Sequence, residues 1–361
     1  GLVLNIINFQ SLIATKTARV YLASKGAPIM EFGLRRAQGP DGAMSATRAS
    51  YIGGAVGTSN SLAARIYGIP AMGTMAHSWI MSHSSELEAF REYAKIYPAN
   101  SMFLIDTYDT LKSGIKNAII VGKEISEKGQ NFGVRLDSGD ISYLSREVRK
   151  ELDMAGFPDA KISVSNELTE EIISTLVAGG APIDSWGVGT HMVTGGTESS
   201  FTGVYKLASR HEKESGKMLP AMKFSDNPAK TTNPGIKDVY RLFDENGMLL
   251  ADILSLEGEK IEIGKEQRYY HPMVDYRQFV CTASKVEPLL KLRLKNGKRT
   301  EERLSEPETL RIARENMTKQ LSMLDESYKR ILNPHIYKVS LTEGLKNLKA
   351  EFIKKNIEQK A

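Results

Sequence analysis

The sequence holds a single cysteine, Cys281, and that scarcity excludes an internal disulfide framework and any cysteine-based metal cluster. Long apolar runs are missing too: Ala118-Ile119-Ile120-Val121 and stretches like it stop far short of the ~20 residues needed to cross a bilayer. No low-complexity tract or internal repeat is visible, so collagen-like and disordered classes drop out. No basic stretch precedes the apolar start Leu2-Val3-Leu4, which therefore does not read as a signal peptide. No initiator methionine is present either, and the expectation is that the chain begins inside a longer protein. These absences point to a reducing compartment, by default the cytoplasm, with no membrane segment.

What is present fits an ordinary globular protein. The chain has 361 residues, 41% apolar and 25% charged, enough for two domains or for one α/β barrel with an appendage. Its 48 lysines and arginines against 43 acids leave a net charge of +5, which raises the question of nucleic acid. Part of the excess sits in Lys291, Arg293, Lys295, Lys298 and Arg299, which at first alternate with leucine as one exposed strand face would. An edge strand guarded by lysines explains that pattern without a nucleic-acid partner.

Apolar residues recur at spacings of three and four through Leu2–Ala23 (Leu4, Ile7, Leu12, Ala14, Ala18, Leu22), predicting an amphipathic helix. Short apolar strands are then expected at 28–32, 71–75, 102–105, 132–136, 161–164, 185–188 and 203–207, separated mostly by helical segments, the alternation of a parallel sheet. Polar residues cluster where these strands end: Arg35-Arg36, Thr74 with His77, Asp106 with Asp109, Arg135 with Asp137 and Asp140, Asn166, and Gly189-Thr190. In a parallel α/β sheet or barrel such ends converge on one face, where ligands bind. Each residue taken alone could equally be a helix cap. Beyond Pro234 shorter alternations at 239–243, 248–256, 260–263 and 286–294, with Asn246-Gly247 and Asn296-Gly297 turns, predict a mostly β segment, followed by helices over 306–324 and 341–356.

Several of these ends carry recognisable chemistry. Trp186-Gly187-Val188-Gly189-Thr190 runs from a strand into a glycine turn whose amides could cradle a phosphate or serve a tight turn. Arg135 with Asp137 and Asp140 could hold an anion, ribose hydroxyls or a magnesium-bound phosphate, or form an internal salt bridge that caps a helix. His77 and His83 lack zinc-site spacing. Phe32 ahead of Arg35 could stack on a flat ring beside an anion, or be core beside surface arginines. The basic turn-rich stretch 223–237 could reach over a phosphate or act as a linker.

Taken in order, the segments EFGLRRAQGPDGAMSATRASYIGG, GTSN, GTMAHS, GVRLDSGD, WGVGT and KFSDNPAKTTNPGIKDVYR resemble the nicotinate phosphoribosyltransferase family of type II phosphoribosyltransferases, and YKVSLTEGLKNLKAEFI is similar to its C-terminal helix. The resemblance implies an irregular parallel α/β barrel over 1–235, an added α+β sandwich domain whose β-rich part spans 236–300, and C-terminal helices over 301–361. It implies that nicotinate and 5-phosphoribosyl 1-pyrophosphate become nicotinate mononucleotide and pyrophosphate, with ATP hydrolysis as the drive and Mg²⁺ as cofactor, in a homodimer. His77 matches the histidine that ATP phosphorylates. Thr74 and Arg135 match residues that hold nicotinate, Phe32 one that stacks on the pyridine, and Gly189 and Thr190 the phosphate cradle. Arg35 and Lys230 would add charge, Asp137 and Asn166 would meet the ribose, Ser138 would bind substrate, and Asp140 is a candidate Mg²⁺ ligand.

The related nicotinamide enzymes carry an aspartate after the Gly-Thr pair where this chain has Ser59, so a carboxylate substrate meets no repulsion and nicotinate is the expected substrate. The family also carries a segment ahead of the helix Leu2–Ala23 that nothing here matches. The expectation is a fragment whose β segment after Pro234 lacks partner strands. Two other readings remain: another phosphate-handling barrel enzyme, which transfer of label from ATP to His77 would exclude, and a nucleic-acid-binding protein, which would show salt-dependent DNA affinity.

Overall fold

Six short strands are too apolar to face water on either side, and the chain solves this by making them parallel and covering them with helices. They are β1 (Ile29–Glu31), β2 (Gly57–Thr58), β3 (Ser101–Leu104), β4 (Phe132–Leu136), β5 (Lys161–Ser165) and β6 (Ser185–Val188), in the order β2-β1-β6-β5-β4-β3. This computed structural model describes residues 1–227 and 230–360. The chain divides into two units, Gly1–Thr202 with Leu304–Thr318, and Gly203–Arg303 with Lys319–Ala361.

In the first unit the sheet curls into a half-barrel. Val134, Leu136, Ile162, Val164 and Trp186 are buried, each worth roughly 1.5–3 kcal/mol on transfer from water. The helix Ile141–Met154 shows why the outer layer forms: its buried Ile141, Ser145, Val148 and Leu152 recur every three or four residues, and Asp140 caps its start. A cavity of about 830 Å³ opens inside the curl, lined in part by Met30, Met72, Met102 and Ser163.

Two expected strands of this part are absent among the described residues. Within 71–75 only Ala71 bridges to Thr58, because β2 is two residues long and offers no further rung. Residues 203–207 form no strand either.

The second unit holds β7 (Ser209–His211) paired with β8 (Met218–Pro220), and a mixed sheet. That sheet comprises β9 (Lys237–Phe243), β10 (Leu249–Leu256), β11 (Glu266–Tyr270), β12 (Gln278–Thr282), β13 (Lys285–Pro288) and β16 (Val339–Leu341), ordered β12-β11-β16-β10-β9-β13. Burial alternates strictly along β10, placing Ala251 and Ile253 on a core face with Leu242 and Tyr269. The β segment after Pro234 therefore does have partners: its strands pair with one another and with β16 from the C-terminal region, contrary to expectation. Residues 260–263 are a loop, pinned by Glu259 accepting from the Leu256 amide at 2.7 Å.

The basic run near 291–299 forms a small hairpin of β14 (Leu294–Lys295) and β15 (Lys298–Arg299) around Asn296-Gly297, both at positive φ as a two-residue turn demands. The helices Glu306–Ser322 and Glu343–Lys360 follow the expected spans closely. No described helix is long and apolar enough to cross a membrane.

Candidate active site

The C-terminal ends of the strands deliver polar side chains to one rim of the first unit, and Arg135 organises them. From the end of β4 its Nε donates to Ser165 Oγ at 2.7 Å, its Nη1 to Thr74 Oγ1 at 2.7 Å and its Nη2 to Asp137 Oδ1 at 2.9 Å. Three of its five N–H groups are thus spent on fixing the guanidinium, and two remain for a ligand. The same group lies 5.5 Å from the centre of the Phe32 ring. Phe32 can come this close because Gly33 and Gly187 carry no side chain: a Cβ on Gly187 would meet the Phe32 ring at 2.6 Å, and one on Gly33 would strike Val193.

Asp137 links this arginine to a histidine. Its Oδ1 also accepts from the Ser165 hydroxyl, while its Oδ2 stands 3.6 Å from His77 Nε2. Burial works to raise the Asp137 carboxyl, but the Ser165 hydrogen bond and the Arg135 charge outweigh it and hold the group ionised below its ordinary range. His77 opens the short helix His77–Met81, and its Nδ1 is 3.0 Å from Thr107 Oγ1. Both ring nitrogens therefore have partners that set the ring plane.

Phe32, Arg35, Ser59, Thr74, His77, Arg135 and Asp137 line a cavity of about 310 Å³. An adjoining cavity of about 200 Å³ shares Phe32, Arg35, Arg135 and Asp137 and adds Asn166, Gly189 and Thr190. Asn166, at the end of β5, holds a φ of +144°, a conformation a non-glycine residue rarely adopts, and its Oδ1 accepts from the Glu167 amide at 2.8 Å. Thr190 begins a five-residue helix after β6, and Arg36 stands 3.9 Å from Glu167 on the same rim.

Behind this turn lies Glu170, 1% exposed. Its carboxylate accepts from Arg19 Nε at 2.7 Å, faces Lys16 Nζ at 3.8 Å and is bonded to His191 Nε2. Burial pushes this carboxyl up, but the His191 and Arg19 hydrogen bonds prevail and hold it at about 2. Glu170, Glu171 and His191 are close enough to one another to suggest a metal site. The two cations already on Glu170 make the cluster unsuited to a third.

Three expected residues are not among those lining either cavity. Ser138 donates to Asp106 Oδ2 at 2.5 Å. Asp140 accepts from the Tyr143 amide at 3.0 Å, the capping reading of its position. Lys230 is exposed in the second unit, its amide donating to Asn227 at 2.9 Å; its neighbours Pro228 and Ala229 lie outside the described residues. Sequence alone gives no role to Thr107, Ser165, Glu31 or Glu170, and marks Asp106 only as a strand-end acid. Ser165 was within reach, since it ends the strand next to Arg135, and Glu31 stood out as a charge at the close of an apolar strand.

Residues 27–244 match the profile of the nicotinate phosphoribosyltransferase (NAPRTase) family, and residues 236–349 that of the nicotinate phosphoribosyltransferase C-terminal domain. The nicotinate phosphoribosyltransferase of Bacillus subtilis is 41% identical, over 94% of this chain and 68% of its own length. The chain belongs to the nicotinate phosphoribosyltransferase family. Its counterpart in Dictyostelium discoideum is 37% identical, and there the chain spans 65% of the relative. The crystal structure of human nicotinic acid phosphoribosyltransferase superposes with a TM-score of 0.77 at 29% identity, covering 95% of this chain and 74% of that one. Nicotinate-nucleotide pyrophosphorylase from Pyrococcus furiosus gives a TM-score of 0.66 at 28% identity, covering 88% and 71%. These family members support the α/β half-barrel and the added sheet as the architecture of this chain.

Proposed function

We propose that the chain transfers a phosphoribosyl group from 5-phosphoribosyl 1-pyrophosphate to nicotinate, giving nicotinate mononucleotide and pyrophosphate, an early step of NAD salvage, with ATP hydrolysis as the drive. The observation that carries this reading is the pair of adjoining cavities that share Phe32, Arg35, Arg135 and Asp137. One suits a flat carboxylated ring and the other a phosphorylated sugar.

In this reading the two remaining N–H groups of Arg135 take the nicotinate carboxylate, a planar charge-assisted pairing, while Phe32 stacks on the pyridine. Ser59 leaves the carboxylate unopposed where an acid would repel it. Gly189 and Thr190 take the sugar phosphate with Arg35, and Asp137 and Asn166 face the ribose hydroxyls. Holding the ring nitrogen in line with the anomeric carbon replaces covalent work on the sugar, because displacement develops oxocarbenium character that positioning and charge can stabilise.

Mg²⁺ fits the donor set: Asp106 Oδ1 is buried without a hydrogen-bond partner among the described residues, beside Asp137, and Mg²⁺ takes one or two carboxylates plus phosphate oxygens and water. Asp106 and Asp137 would hold it, and when bound it would neutralise departing pyrophosphate. Asp140 spends one oxygen on its cap and contributes less. His77, with partners on both ring nitrogens, is the group that would take the γ-phosphoryl of ATP and pass it to water. The family resemblance also carries the proposal of a homodimer, which sedimentation would test.

The deciding experiment is formation of nicotinate mononucleotide with and without ATP, by the wild type and His77→Ala, with nicotinamide as the competing substrate. ATP stimulation lost in His77→Ala supports the reading. Preference for nicotinamide, or equal stimulation in both proteins, overturns it.

A further inference from the structure

Glu31 closes β1 immediately ahead of Phe32 and is 1% exposed, yet no step above uses it. A buried ionised carboxylate costs several kcal/mol unless hydrogen bonds or an opposite charge compensate. Here the compensation is wholly from neutral donors. The Gly33 amide donates to Oε1, Thr47 Oγ1 to Oε2 at 2.9 Å and Thr58 Oγ1 to Oε2 at 2.5 Å.

The direction of these bonds is fixed one step further out. Thr58 Oγ1 accepts from the Asn60 amide at 2.9 Å and Thr47 Oγ1 from Asn60 Nδ2 at 3.4 Å, and among the described residues the acceptor for each hydroxyl's own proton is Glu31. Three protons converge on one side chain, and only an acceptor-only group answers all three. An amide in its place would aim its NH₂ at hydroxyl oxygens that already accept, leaving their protons stranded.

What these bonds tie together is the wall of the nicotinate cavity. The Gly33 amide anchors the turn Leu34–Arg36 that carries Phe32 and Arg35. Thr58 precedes Ser59, and the Glu31 carbonyl accepts from the Ser59 amide at 3.0 Å and its hydroxyl at 3.3 Å. Thr47 fixes both from the helix Gly39–Gly53. The turn around Gly189 and Thr190 is carried by β6 and the following helix and joins this wall through the Phe32 amide, which donates to the Val188 carbonyl at 2.9 Å, without a bond to the Glu31 carboxyl group among the described residues.

We propose that Glu31 is a positioning residue for the pyridine substrate: its carboxyl group, bonded by Gly33, Thr47 and Thr58, holds Phe32 and Ser59 at the spacing nicotinate requires. The inference rests on the functional reading above. It is tested by calorimetric binding of nicotinate and by steady-state kinetics on wild type, Glu31→Gln, Thr58→Val and Thr58→Ser. Glu31→Gln raises the nicotinate Kd and KM tenfold or more, with a smaller rise in the KM for 5-phosphoribosyl 1-pyrophosphate, because Arg35 on the same turn lines both cavities. Thr58→Val shows the same split to a smaller degree, and Thr58→Ser, which keeps the hydroxyl, restores wild-type values. If Glu31→Gln does not fold, the Thr58 pair carries the comparison. Equal nicotinate affinity in Thr58→Val and Thr58→Ser, or an equal rise in both KM values together with a lowered Tm, overturns the positioning role alone. A wild type that neither binds nor turns over nicotinate overturns the functional reading, and this inference with it.

Discussion

Glu31 and Glu170 are both 1% exposed and stand in the same unit, yet they are held by opposite means. Glu31, at the pyridine end, is satisfied by an amide and two hydroxyls. Glu170, behind the phosphate turn, is satisfied by Arg19, Lys16 and His191. Neutral donors are short and directional, so they fix positions to within a hydrogen-bond length and leave the carboxylate's charge in place. Cations cancel that charge and tie distant elements, here the helix Leu2–Ala23 to the helix Glu170–Ala178, with less demand on angle. On the proposal above Glu31 serves substrate fit, whereas Glu170 ties helices of the same unit together.

Glu170→Ala breaks the comparison most severely. It takes the nearest carboxylate from the buried Lys16 and the partly buried Arg19, leaving Glu198 and Glu171 at 4.0 Å, a loss of about 3 kcal/mol of unfolding free energy, to be read by urea denaturation. A loss below 1 kcal/mol would show that the cluster is not a clamp.

Arg135→Ala is expected to act the other way round, on substrate more than on stability. Removing the fork lowers kcat/KM for nicotinate at least 100-fold, about 3 kcal/mol, and Arg135→Lys does not rescue it because a point charge cannot replace the planar pairing. Rescue by lysine would mean that charge alone holds the carboxylate.

The pH response separates the two carboxylates next. Folded Glu170 titrates at about 2 against an ordinary 4.5, so the unfolded chain binds that proton more tightly. Its stabilisation is complete above pH ~4.5 and drains away as pH falls toward 2, on the order of 3 kcal/mol in all. Unfolding measured between pH 6 and pH 3 should fall more steeply for wild type than for Glu170→Gln, and parallel curves would refute the assignment. The smallest effect is expected from Thr169→Ala, which removes the cap on the Ile172 amide beside Glu170 but leaves its ion pairs, at about 1 kcal/mol.

The sequence made the rim legible because strand ends are local: Arg135, Asp137, Asn166 and Gly189 follow apolar runs whatever the rest of the chain does. Seven of the candidate residues share one cavity for that reason. What could not be read was long-range. Glu170 finds Arg19 across 151 positions and Glu31 finds Thr58 across 27, and no local pattern announces either pairing. Asp140 went the other way: its local signal was real, but it was that of a helix cap.

The contact between Phe32 and Gly187 sets a one-way limit on redesign. With the ring lying against bare backbone, that wall of the slot has nothing left to remove, so substitution there can only narrow it. Variants meant to widen the cavity must find their space at other lining residues, such as Met75, whose side chains can still be trimmed.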